Sequence, residues 1–214
     1  MDISDREETP YNSIMYQLND SPKKSTETTT VIMNRYFDSQ YFPYSCMKLF
    51  GESLGYKRSL PYILGETYFV PDRGTSKKPA SWYALHHVAN SNFNSADKKL
   101  TLFTKQHPIL TQDTTHVGFE KQLNVASHLY FTQTKLVEGL FNHFDVSRNR
   151  IYRENLVHQR LERVSYQLPS FTAYDFFQFM TFYNAQKSLS TILGEDTPYL
   201  DEARSSFRLP KMDK

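Results

Sequence analysis

Three kinds of side chain in this sequence could do chemistry or hold a ligand: adjacent histidines, a single cysteine, and basic residues gathered in short clusters. The clusters are Lys57 and Arg58; Arg73, Lys77 and Lys78; and Arg148, Arg150 and Arg153. The first two follow glycine-bearing or turn segments, which lets the backbone approach a phosphate closely. Arginine placed in a narrow A/T minor groove gains from the enhanced negative potential there. The same residues also read as solvated loops and an exposed helix face. His86 and His87 fall in "SWYALHHV", which reads as a strand, so they point to opposite faces and do not share an ion. His107, His116, His128, His143 and His158 are scattered, with no CxxC and no HxxxH, so no metal site is expected. Cys46 lies in "YSCMKLF", an apolar setting that raises a thiol's pKa, and reads as buried and structural. No nucleophile elbow or phosphate loop is present. The chain therefore reads as a non-enzyme without cofactor. A small hydrolase would need several of Asp97, Asp113, Glu120 and His116 to converge in a deep pocket.

Composition narrows the partners. The formal net charge over 214 residues is only +2, so binding to nucleic acid must rest on local clusters, which act over roughly 10 Å at ordinary salt. The 16 Phe and 15 Tyr supply a core despite a 39% hydrophobic share. One cysteine permits no internal disulfide and fits a reducing cytosol. The start, "MDISDREETPYN", has neither a basic lead nor an apolar run, and no stretch approaches the roughly 20 apolar residues of a membrane helix. A cytoplasmic location away from membranes is expected.

The elements that must position these residues change character midway. "SIMYQL" (13–18), "TTTVIMNRYF" (28–37), the start of 44–58, "YFV" (68–70), "SWYALHHV" (81–88), "KLTLFTK" (99–105) and "HPILT" (107–111) read as strands or short apolar elements. After Thr115 the period becomes helical, with Phe119, Leu123, Ala126, Tyr130, Val137 and Leu140 on one face. Further helices fit 150–168, where Arg153, Arg160 and Arg163 face away from Val157, Leu161 and Val164, and 172–193. The last opens on a capping-box pair, Thr172 and Asp175, and closes at Gly194. Its many aromatics fit either the core or a contact between subunits. The fold class is α+β: a mostly antiparallel N-terminal sheet over 13–112, then C-terminal helices over 116–194. Residues 1–12 read as a flexible lead, 13–195 as one domain and 196–214 as a flexible tail.

Three blocks resemble the ComK family of bacterial competence transcription factors. They are "SCMKLFGESLGYKR" (45–58), "YFVPDRGTSKKPASWYALHHV" (68–88) and "HPILT…GFEKQLNVASHL" (107–129). The family pattern near the first block places its basic group differently from Lys57 and Arg58, and a cysteine before the tryptophan is replaced by Ala80 and Ser81. The resemblance implies a DNA-binding activator of DNA-uptake genes. Such a protein recognises paired A/T-rich boxes in double-stranded DNA through the minor groove, as a dimer or larger homo-oligomer. It also implies that the tail "SFRLPKMDK" (206–214) is bound by a proteolytic adaptor, although such a tail also reads as a frayed terminus. In this reading the 71–81 loop faces phosphate through Arg73, Lys77 and Lys78, Trp82 anchors the next strand, and the histidines are structural. The alternative is a regulatory protein–protein module that kept the fold without DNA binding.

Overall fold

In a computed structural model, residues 1–5, 9–17, 20–74, 78–96, 98–105, 109–112, 114–143, 155–164 and 171–194 are described. The fold is α+β, with small antiparallel sheets first and the long helices last. The strands are β1 (Ser13–Met15), β2 (Lys23–Ser25), β3 (Tyr62–Leu64), β4 (Thr67–Pro71), β5 (Trp82–Ala84), β6 (Val88–Asn94), β7 (Lys99–Thr104) and β8 (Leu110–Gln112). The helices are α1 (Thr29–Ser39), α2 (Tyr44–Ser53), α3 (His116–His143), α4 (Leu156–Val164) and α5 (Ala173–Leu193). The strands form separate sheets, β1-β2, β3-β4-β5 and β6-β7-β8, each made by neighbours in the chain.

The expected strand over 28–37 and the expected strand or short apolar element at the start of 44–58 are both helices. Over 28–37 the β-branched and aromatic residues favour a strand locally, but tertiary packing overrides that preference. The Thr28 side chain caps α1 by accepting from the Val31 amide. Thr29, Met33 and Phe37, spaced four apart, then form the stripe that meets the core. In α2, Met47, Phe50 and Leu54 recur at three and four and are buried. Gly51 belongs on that buried face because an added Cβ would stand 2.7 Å from the Leu60 side chain. Burial of Phe37 and Met47, not propensity, decides both elements.

The segment 81–88 also differs from expectation. The strand stops at Ala84, a single 3-10 turn covers Leu85–His87, and Val88 opens a new strand in the next sheet. The turn forms because Leu85 is buried and the His86 ring reaches back to the Tyr68 backbone, with Nδ1 at 3.0 Å from its amide. β6 itself is rich in asparagine, a poor strand former, so its local pattern is weak.

The helices follow their pattern. α3 carries the expected positions from Phe119 to Leu140, although Leu140 at the end of that stripe is exposed. α5 begins with the capping box between Thr172 and Asp175 and ends at Gly194, whose φ of 86° is the left-handed region glycine favours. Of the helix expected over 150–168, 156–164 is helical; 150–154 and 165–168 lie outside the described residues, as does the tail 196–214. The core joins β3, β4 and β5 to α1 and α2. Tyr62 stacks on Phe37 with ring centroids 3.8 Å apart, and Trp82 meets Phe37 edge-on at 5.4 Å. The expected N-terminal lead is hydrogen-bonded to β1 and its surroundings. Ile3 is buried, its amide donates to the Asn12 carbonyl, and the Asp2 amide donates to Ser81 Oγ.

Candidate nucleic-acid interface

Two loops bring basic side chains to one cleft. The first follows α2. Gly55 adopts φ 81° and reverses the chain, and the Tyr56 amide donates back to the Gly51 carbonyl at 2.8 Å. The Tyr56 hydroxyl and His128 Nδ1 of α3 are 2.7 Å apart. Leu60 is buried four residues on. Pinned at Tyr56 and Leu60, the chain between them lifts Lys57 and Arg58 into solvent.

The second loop follows β4. The Asp72 amide donates to the Ser81 carbonyl at 2.9 Å, and Asp72 Oδ1 accepts from the Ser81 amide at 3.0 Å, which closes the loop at its base. Arg73 then projects outward, with about half of its side chain exposed. Its Nε and one terminal nitrogen each donate to an Asp72 carboxylate oxygen at 3.3 Å. Half-exposed and screened, this pairing of neighbours orients the guanidinium and leaves much of its field unneutralised.

Arg58 and Arg73 both line a cavity of about 280 Å³, together with Asp72, Tyr83, Thr114, Gly118, Lys121 and Gln122. Among the described residues that line it, the cleft thus holds three cations against one carboxylate. Its far wall is the first turn of α3, where the Thr115 hydroxyl accepts from the Gly118 amide at 3.0 Å. That turn carries no acidic residue, so the positive end of the helix dipole adds to the cations. Neither Arg58 nor Lys121 forms an ion pair with a described residue. Gln122 Oε1 is buried without a hydrogen-bond partner among the described residues.

The expected site residues separate accordingly. Arg58 and Arg73 come together, with Lys57 next to Arg58 on the same exposed loop. Lys78 instead pairs with Asp5 at 3.5 Å, both side chains well exposed, and does not line the cleft. Lys77, Arg148, Arg150 and Arg153 lie outside the described residues. Sequence reasoning misses Lys121; it sits on a helix that is legible, but its nearness to Arg58 depends on how α3 packs. Arg160, expected on an outward face, is ion-paired with Glu120 across α3 and α4.

The other chemistries resolve differently. His86 and His87 occupy a 3-10 turn, not opposite faces of a strand, and their rings lie 4.2 Å apart. Among the described residues no three metal-ligating side chains gather. Burial first, and His87 second, push the His86 pKa down to about 4, so the ring is neutral. Cys46 is free and half-buried. His116 and Glu120 line one open depression, but Glu120 is committed to Arg160, and Asp97 and Asp113 lie outside the described residues. No described helix is long and apolar enough to cross a membrane. Neither a protein-family model, nor a curated protein, nor a solved structure matches this chain.

Proposed function

We propose that this chain is a DNA-binding transcriptional activator of competence genes, as its likeness to the ComK family implies, and that it grips A/T-rich duplex through the minor groove. The observation that supports this reading is the meeting of Arg58 and Arg73, from separate loops, with Lys121 in the second turn of α3. Phosphate oxygens and a narrow A/T groove are the partners such a cluster suits. Lys57 extends the positive edge. Trp82, packed on Phe37 and Tyr44, supports the strand behind the loop. No catalytic residue, metal or cofactor enters the mechanism, and the protein acts in the cytoplasm.

Two spaced boxes call for more than one copy of the chain. α5 suits a contact between copies, because Phe177 and Ile192 are 58% and 76% exposed. The tail 206–214 is proposed as the site of a proteolytic adaptor.

A second reading, a regulatory protein–protein module without DNA binding, is favoured by one observation. Arg73 and Lys78 already have carboxylate partners, Asp72 and Asp5. A gel-shift titration decides between them. An A-tract/T-tract duplex is expected to shift at lower protein concentration than a G/C-rich duplex of equal length. Absence of any shift with both duplexes would overturn the DNA-binding reading.

A further inference from the structure

The outer face of the β6-β7-β8 sheet carries a row of exposed side-chain amides. Asn90, Asn92 and Asn94 alternate along β6 and are exposed, while Leu100 and Leu102 of β7 are buried on the opposite face. The register sets Asn90 opposite Phe103, Asn92 opposite Thr101 and Asn94 opposite Lys99, with Thr101 opposite Thr111 of β8, so the amides share their surface with hydroxyls, one aromatic ring and one lysine. β6 is an edge strand of this sheet.

Asparagine is depleted in strands, so three at alternate positions weaken the element that holds them. Two of them are aimed. Asn90 Oδ1 accepts from the Ser91 amide at 2.8 Å, and Asn94 Oδ1 accepts from the Ala96 amide at 3.0 Å. With the oxygen turned to a backbone N–H, each side chain has two amide N–H donors that no described residue accepts from. Asn92 makes no side-chain hydrogen bond with a described residue.

We infer that this row of asparagines reads base edges in the minor groove of A/T-rich duplex. The inference rests on the duplex-binding reading above and extends it from phosphate to sequence. A·T pairs offer only acceptors in the minor groove, adenine N3 and thymine O2, whereas G·C adds the guanine amino donor. A line of donors is complementary to the first and opposed by the second. Side chains two apart on an antiparallel strand are spaced about 6.8 Å. Two base-pair steps of B-DNA span about the same distance along the axis. Across the sheet the row is two strands, about 10 Å, from Thr111, which is at most about 11 Å in turn from Thr114 at the cleft.

The test compares three proteins by fluorescence anisotropy on A/T-rich and G/C-rich duplexes of equal length over a range of salt: wild type, an Asn90→Ala/Asn92→Ala/Asn94→Ala variant, and Asn92→Thr alone. The last keeps a good strand former if the triple variant folds poorly. The triple variant is expected to lose about tenfold or more of the preference for A/T over G/C, with its salt slope and G/C affinity unchanged. Asn92→Thr is expected to lose part of that preference. An unaltered preference in a folded variant, or equal loss on both duplexes, would overturn the base-reading role while leaving duplex binding in place. Failure of wild type to bind either duplex would overturn both.

Discussion

Two polar clusters on this protein, one around Glu66 and one around the Arg58–Arg73 cleft, end in opposite states. Around Glu66, every group is answered from within. The Tyr130 hydroxyl donates to Oε1 at 2.6 Å, the Tyr68 hydroxyl donates to Oε2 at 2.9 Å, and His158 Nε2 stands 3.4 Å from Oε2. These residues come from the β3–β4 turn, β4, α3 and α4, so the knot ties four parts of the chain together. Burial pushes the Tyr130 hydroxyl up to about 12 and the Tyr68 hydroxyl higher still, so both remain neutral donors to the carboxylate. Around the cleft, three cations converge, and Asp72 is the one carboxylate among the described residues that line it. A saturated network stabilises a fold; an unsaturated one on an exposed surface leaves interaction energy for a ligand.

The largest effect should come from breaking the knot. Tyr68 is fully buried, and Tyr68→Ala is expected to cost about 3–5 kcal/mol in urea unfolding, through the cavity and the missing donor. Tyr68→Phe keeps the ring and should cost about 1–2 kcal/mol by leaving Glu66 short of one hydrogen bond. If Tyr68→Ala unfolds like wild type, the knot does not hold these elements together.

Acid should weaken the same region next. The folded His86 takes a proton only near pH 4, whereas the unfolded chain does so near 6.5. Between these values the unfolded state binds more protons, so stability is complete above about pH 6.5, falls as the pH drops, and levels off below about 4. The loss should be of order 3 kcal/mol. Burial depresses His128 in the same direction, which adds to the slope. His86→Gln should flatten the profile, measured as unfolding free energy against pH; an unchanged slope would remove His86 as its source.

The smallest effect belongs to the cleft itself. Asp72→Asn keeps an oxygen for the Ser81 amide and removes the charge beside Arg73. Stability should change by less than about 1 kcal/mol, and affinity for A/T-rich duplex at low salt should rise several-fold. Weaker binding by this variant would mean that Asp72 orients Arg73 more than it competes for it.

The two clusters also differ in how far they can be read in advance. Loop cations announce themselves, because Arg58 and Arg73 follow turn-forming segments in the chain. That they meet, and that Lys121 joins them, depends on α3 lying across both loops, a long-range fact with no local trace. The knot is wholly hidden, since Glu66, Tyr68, Tyr130 and His158 form no spacing pattern. Among the elements, α3 and α5 are legible because an apolar stripe and a capping box are local features. α1 is not, because its Thr-Thr-Val-Ile run prefers a strand until Phe37 finds Tyr62. The strand β6 is obscured for the opposite reason, because its only large apolar residues, Val88 and Phe93, lie five apart across a bulge and show no alternation between the asparagines.

The salt dependence of duplex binding tests the central claim most directly. With an A/T-rich duplex, log affinity against log salt should be steep for wild type. For Arg58→Ala/Arg73→Ala the slope should be shallower by about 0.9 for each phosphate no longer neutralised, with unfolding free energy unchanged. A folded double variant that keeps both the slope and the affinity of wild type would contradict the assignment of this cleft to DNA.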